Sequence, residues 1–311
     1  MLNSRISLLF VVLCCFACQD DDDFMEPTDN PGEPENVAGM YDGEEEGGDF
    51  VALYDSLITM VDGFSSLYAV AEVDHAANAA AVGLQLRPTR VVLLSSPAQS
   101  APVLRDYPLA GLDFPQKILT YEAEDGDVFM TFDISQYYNS RYGIEEEREL
   151  QQITTLSFNL VQRAGISGDI LSSGPFTVER NAGIVTYTAN GTVDSVYTAL
   201  RTALASNEAI SIVTEVDHQA DAATVDVEMP PNRLIVFGNP NLGTPLLLEA
   251  QTLGLDLPQK MLVYESAPGE VTVAYNDPAY LADRHGVDQG QEEIATIGSA
   301  LEQLASAALG L

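Results

Sequence analysis

Tryptophan is absent from the 311 residues, and lysine nearly so: Lys117 and Lys260 are the only two, beside eleven arginines. Cysteine occurs only as Cys14, Cys15 and Cys18, so the rest of the chain has no thiol for a disulfide framework or a thiolate metal site. The three histidines, His75, His218 and His285, are too few for a nitrogen-rich zinc centre. Bases are scarce as a class, 13 against 47 acids, and a net charge of −34 repels phosphate backbones, which argues against a nucleic-acid partner. No Gly-rich phosphate loop, Gly-x-Ser-x-Gly elbow or His-Glu-x-x-His helix is present, so no cofactor and no metal is expected. Abundant acids with almost no lysine suit a protein working in concentrated salt, where counterions screen self-repulsion; an ordinary acidic exported protein is the alternative.

At the N-terminus, Arg5 precedes an apolar run over residues 6–17 and then Cys18. A dozen apolar residues are too few to span a bilayer and have the layout of a secretory signal. The Ala17-Cys18 pair resembles the cleavage and acylation site of a bacterial lipoprotein signal, with Cys15 departing from the usual Leu; a plain signal peptide is the other reading. Behind Cys18, Gln19 leads into Asp20, Asp21, Asp22 and Asp23, which resembles the surface-export signal of Bacteroidota lipoproteins. That resemblance implies a lipid anchor in the outer membrane and display on its outer face, against a simple solvated tether. From Gln19 to Asp49 the composition is acidic, with Gly, Pro and Asn and no Lys or Arg, and predicts a disordered tether.

The remainder is a duplication. Adding 143 to residues 71–144 brings them into register with 214–287 without a gap, identical at 27 of 74 positions. Both copies carry Glu-Val-Asp-His ending at His75 and His218, Pro97 and Pro240, and Gly-Leu-Asp-x-Pro-Gln-Lys ending at Lys117 and Lys260. The expected division is residues 1–17 signal, 18–49 tether, 50–163 first repeat, 164–178 linker and 179–311 second repeat. In the second copy an alternating β-branched run from Gly183 precedes a helix face of Val196, Tyr197, Leu200 and Leu204, with Asp194-Ser195 as its cap. The first copy has acids where that opening strand should be, which reads as a strand lost or weakened. Strands end at Asp-His, strands stopped by Pro follow, then a short helix around residues 245–251, a hairpin, a polar segment and a closing helix. Strand, helix, four strands, helix in each repeat makes an α+β fold, mostly antiparallel sheet with helices on one face. The short Gly- and Ser-rich linker keeps the copies adjacent, so intramolecular pairing of the two repeats is expected.

Ile235-Val-Phe-Gly-Asn-Pro240, Gly254-Leu-Asp-Leu-Pro258, Val263-Tyr-Glu265 and Tyr275-Asn-Asp-Pro278 together resemble the family named domain of unknown function 302. The resemblance covers residues 182–309; the first copy is looser, with Leu94-Ser-Ser-Pro97 and Phe132-Asp-Ile-Ser135 in the corresponding places. It implies the compact strand-helix-four-strands-helix unit and no established activity.

Four residues of the second repeat are candidates for a site. His218 stands at a strand end beside Asp217, where an imidazole can act as a base or stay a hydrogen-bonded structural group. Lys260 can contact an anion or carbonyl, or form a Schiff base if burial depresses its pKa, against a buried ion pair with Asp256 or Asp277. Asn239 and Asp277 lie in polar turns at strand ends, where sheets present ligand pockets, although such turns also cap helices. The leading expectation is a lipid-anchored protein binding a small molecule or partner protein without catalysis; an enzyme using His218 and Lys260 is the alternative. Convergence of His218, Lys260 and Asn239 in one cleft separates the two.

Overall fold

The protein is described by a computed structural model over residues 34–145 and 148–311. The expected signal over residues 1–17 and the expected acylation site at Cys18 lie outside the described residues, as does the expected tether as far as residue 33. In chain order the first repeat runs β1 (Met40–Glu45), α1 (Phe50–Asp62), β2 (Tyr68–Asp74), α2 (His75–Ala81), β3 (Thr89–Ser95), α3 (Pro97–Asp106), a 3-10 turn (Pro108–Leu112), β4 (Gln116–Glu122), β5 (Val128–Asp133), α4 (Ser135–Tyr142) and α5 (Arg148–Ala164). A short strand, β6 (Ile170–Ser172), leads to the second repeat: β7 (Ile184–Asn190), α6 (Val193–Ala205), β8 (Ser211–Asp217), α7 (His218–Ala223), β9 (Asn232–Gly238), α8 (Pro240–Glu249), a 3-10 turn (Gln251–Leu255), β10 (Gln259–Ala267), β11 (Glu270–Asn276), α9 (Pro278–Arg284) and α10 (Gln291–Leu309). The sheets have the orders β2-β3-β4-β5-β1-β6 and β7-β11-β10-β9-β8, antiparallel at every pairing.

The central strands are buried on both faces, which is why Arg90-Val-Val-Leu-Leu and Arg233-Leu-Ile-Val-Phe read as continuous apolar runs. Period-two alternation then sorts each strand. Val92, Leu94 and Ile118 pack with α1 and α5 side chains such as Leu57 and Leu160, while Ile235, Phe237, Met261 and Val263 pack with α6 and α10. The alternate residues Val91, Leu93, Leu119 and Tyr121 enter a third core with Leu234, Val236, Leu262 and Tyr264 of the other sheet. The layers are therefore helix, sheet, sheet, helix, with helices on one face of each sheet.

Four local readings change. Residues 40–45 are not tether but the strand β1, paired with β5 from Met40 opposite Asp133 to Glu45 opposite Val128. Its sequence hides this because Gly43 carries no side chain to show periodicity. A Cβ there would stand 2.8 Å from Ile166 Cγ2, so the glycine marks a close approach. Part of the linker is likewise ordered as β6 against β1. Helix α8 starts at Pro240, with the Asn239 side chain accepting from the Asn241 backbone N–H at 3.1 Å, rather than near Pro245; either proline suits a first-turn position, and the cap decides. The cap of α6 is Thr192, whose hydroxyl accepts from the Ser195 N–H, not the Asp194-Ser195 pair.

Candidate functional site

Asp74 and Asp217 end β2 and β8 and cap α2 and α7, accepting from the backbone N–H groups of Ala77 and Ala220 at 2.8 and 2.9 Å. These caps fix the first residue of each helix, His75 and His218, and turn both rings into the opposite repeat. The Gly254 carbonyl accepts from His75 Nε2 at 3.2 Å, and the Gly111 carbonyl from His218 Nε2 at 3.3 Å. Gly111 and Gly254 are themselves equivalent, so the contact is reciprocal. Burial pulls both imidazoles down to about 4, against a smaller upward pull from those carbonyls, and both are neutral at neutral pH. His218 thus serves as a buried cross-repeat contact.

Lys260 belongs to a second reciprocal structure. Arg141 meets Asp113 Oδ2 at 2.6 Å and reaches Asn276 Oδ1 of the other repeat at 2.8 Å, while two of its nitrogens donate to the Ala182 carbonyl. Arg284 repeats the pattern with Asp256 and Asp133, both at 2.6 Å, and the Ala38 carbonyl. Tyr142 donates to Asp113 at 2.7 Å where His285 Nε2 approaches Asp256 at 3.0 Å. All of these side chains are buried.

The symmetry fails at one pair. Asp133 of the first repeat is Asn276 in the second. Lys117 has three carboxylates around it, Asp256 at 3.1 Å, Asp133 at 3.5 Å and Asp113 at 3.8 Å. Among the described residues Lys260 forms no ion pair; its Nζ donates to the Asp256 carbonyl at 3.1 Å. Four cations (Lys117, Arg141, Lys260 and Arg284) therefore share three carboxylates (Asp113, Asp133 and Asp256) in a buried space. Burial and then the charge of Lys117 push the Lys260 amine down to about 7 against the pull of the carboxylates, whereas for Lys117 the carboxylates outweigh burial and raise its pKa. Burial opposes the Asp113 carboxylate, but Arg141, Lys117 and Lys260 outweigh it and hold the group at about 2. Loss of one proton from Lys260 balances the network.

A well-formed pocket lies against His75 and apart from the ion network. A cavity of about 340 Å³ opens in the second repeat between the ends of β8 and β9, the first turns of α8 and the apolar stripe of α10. Asn239 and Gln259 line it, with His75 and Asn78 of the first repeat closing one side. At the equivalent place in the first repeat only about 10 Å³ remains, lined by Ser95, Ser96, Phe114, Gln116 and, from the second repeat, His218. Several replacements account for the difference. Tyr68, equivalent to Ser211, and Ser95, equivalent to Gly238, both donate to Asp221, at 3.2 and 3.4 Å. Phe114 stands where the second repeat has the smaller Leu257.

The four candidate residues therefore do not converge. Asn239 lines the open pocket, His218 the closed one, Lys260 sits in the ion network, and Asp277 caps α9 by accepting from the Ala279 N–H at 2.9 Å. Sequence reasoning missed His75 and Gln259 at the open pocket. The repeat marks a histidine after an Asp cap in both copies, but only the packing of the two sheets brings the His75 ring to the other repeat.

The family model described as "Domain of unknown function DUF302" matches residues 49–156 and again 185–305. The chain is a tandem DUF302 protein. Over 131 residues it is 36% identical to the fluoride-specific ion channel FluC 1 of Brucella suis biovar 1 (strain 1330), covering 42% of this chain and 48% of that protein. The same identity and span relate it to FluC 1 of Brucella abortus biovar 1 (strain 9-941), with 45% of that protein covered. The DUF302 chain thus spans less than half the length of these curated relatives. A crystal structure of an uncharacterized conserved DUF302 protein from Bacillus stearothermophilus is similar at 17% identity and a TM-score of 0.37, covering 40% of this chain and 98% of that one. Among the described residues no helix is long and apolar enough to cross a membrane.

Proposed function

We propose that this tandem DUF302 chain is an exported binding protein of the cell envelope, anchored in the outer membrane through an acylated Cys18, and that its second repeat holds a small molecule without transforming it. One observation carries the binding reading: of two equivalent pockets, the second is open at about 340 Å³ while the first, lined by Ser95 and Phe114, keeps only about 10 Å³. A volume of that size lies in the range of small-molecule sites. Separation of His218 and Lys260 from that pocket favours binding over catalysis by those two groups. The two repeats act as one unit, since His75 and Asn78 of the first complete the pocket of the second. Export and anchoring rest on the apolar run and the Ala17-Cys18 pair, and the acidic surface suits a high-salt habitat.

Native mass spectrometry of the full chain purified from its own host tests the binding reading. A retained small molecule is expected in the natural protein and not in a Ser211→Tyr, Gly238→Ser variant; equal retention by both overturns it. Cys18→Ala is expected to release the chain from the membrane fraction, and unchanged membrane association would remove the anchor.

A further inference from the structure

Among the described residues the open pocket is lined without one charged side chain, although the chain carries 47 acids and 13 bases. Its walls are chiefly apolar, with Phe237, Leu242, Leu247, Leu257, Ile297 and Leu301 among them. The polar groups it offers are amides and hydroxyls, such as those of Asn78, Asn207, Ser211, Asn239 and Thr296. The one titratable group among the described lining residues, His75, is held neutral by burial at any pH near 7.

This lining discriminates by charge. A carboxylate, phosphate or ammonium entering it exchanges its hydration for hydrocarbon and neutral dipoles, and an ion buried without a partner is strongly disfavoured. The surrounding negative field raises that cost further for an anion. An alcohol, amide or ketone loses much less, because one hydrogen bond to an amide or hydroxyl replaces the one lost to water. Size sets a second limit. An apolar cavity of about 150 Å³ holds benzene, so one of about 340 Å³ suits a molecule of about ten to fifteen carbons.

We propose that the second-repeat pocket takes an uncharged, largely apolar molecule of that size with a hydrogen-bonding end, and excludes ionised amphiphiles of the same length. This rests on the binding reading above and narrows its ligand to a chemical class. The glycines at the pocket are part of the arrangement. A Cβ on Gly238 would lie 3.4 Å from Pro258 Cβ, and one on Gly243 3.6 Å from Leu257 Cδ1, so side chains fit at both without backbone movement but occupy ligand volume.

Displacement of the neutral fluorophore N-phenyl-1-naphthylamine from the full chain by 1-decanol, decanoate and decylammonium tests the class. Decanol is expected to displace the probe at a concentration at least tenfold below that of either charged analogue. Ser211→Tyr with Gly238→Ser is expected to weaken probe binding at least tenfold with the circular dichroism spectrum unchanged, and Gly243→Leu gives an independent occlusion if that variant does not fold. If decanoate or decylammonium displaces the probe as well as decanol does, and occlusion still abolishes binding, the pocket binds and the neutral class is overturned. If the probe does not bind, or binds equally to a folded occluded variant, the binding reading falls and the class with it.

Discussion

Tyr68 and Ser211 occupy equivalent places at the start of β2 and β8, yet one carries a large side chain where the other carries a small one. The same is true of Ser95 against Gly238 and Phe114 against Leu257. Around them the frame is unchanged: Gly111 and Gly254, Asp113 and Asp256, and Lys117 and Lys260 stand in register, and each repeat sends its histidine to the other's glycine carbonyl. The duplicated chain thus keeps the residues that hold the sheets together and differs in those that decide whether there is room beside them. At Asp133 and Asn276 the difference is one of charge, and it makes two equivalent buried lysines unlike.

That charge difference can be tested hardest at the arginines. Arg284→Met removes the shorter of the two cation contacts of both Asp256 and Asp133, leaving them to Lys117, whereas Arg141→Met does this to Asp113 alone and leaves a neutral Asn276. Breaking a buried pair costs about 3–5 kcal/mol, so urea unfolding is expected to show a loss of that order for Arg284→Met and a clearly smaller one for Arg141→Met. Equal losses would mean that the missing carboxylate has no energetic consequence.

The lysines offer a more direct reading, because only two exist. With lysine labelled at Cε, carbon NMR is expected to show one resonance titrating near pH 7 and one that stays charged through the alkaline range. Asn276→Asp supplies the fourth carboxylate and is expected to abolish the low midpoint. The folded state binds fewer protons than the unfolded between about 7 and the ordinary lysine value of 10.5, so stability rises with pH across that window. Two lysines titrating alike would end the distinction between the repeats.

The histidines should show no such difference. Both have a folded pKa of about 4 against an ordinary 6.5, so the stability linked to each is complete above 6.5 and is lost as pH falls through 4. Denaturant midpoints measured from pH 7 to 4 should fall, and His75→Asn or His218→Asn should each flatten the fall by a similar amount, since asparagine keeps a donor for the glycine carbonyl. A one-sided effect would show that the reciprocal contacts are unequal.

Much of this frame is legible in the sequence. The 143-residue register, the capped strand ends and the apolar strands give the α+β units, because backbone geometry leaves a local pattern. Strand β1 is not legible, since Gly43 and its acids break the alternation and the ordering contacts come from Ile166 and Ile170 far along the chain. The site is legible only in part. Asn239 and the bias toward the second repeat can be read from the polar turn. The crossing of His75 into the other repeat's pocket cannot, because nothing local to residue 75 says which repeat its ring will meet. Lys260 attracts notice through lysine scarcity, but its lack of a carboxylate partner depends on residue 276 and on Lys117, brought together only by packing of the two sheets.

The mildest exchange tests whether the pockets are the same structure in two states. Leu257→Phe puts the first repeat's side chain into the open pocket, where about 340 Å³ is free to receive it. Filling existing space without overpacking should change stability by less than about 1 kcal/mol. The reverse change, Phe114→Leu, removes volume from a site with about 10 Å³ to spare, and a cavity opened in a packed core costs about 1–2 kcal/mol. Urea unfolding of the two single variants should therefore show Phe114→Leu as the more damaging, although both are exchanges of the same two side chains. If Leu257→Phe is the more damaging, the second pocket is not a first pocket with smaller walls, and its shape must be held by α10 rather than by the residues that differ just before β4 and β10.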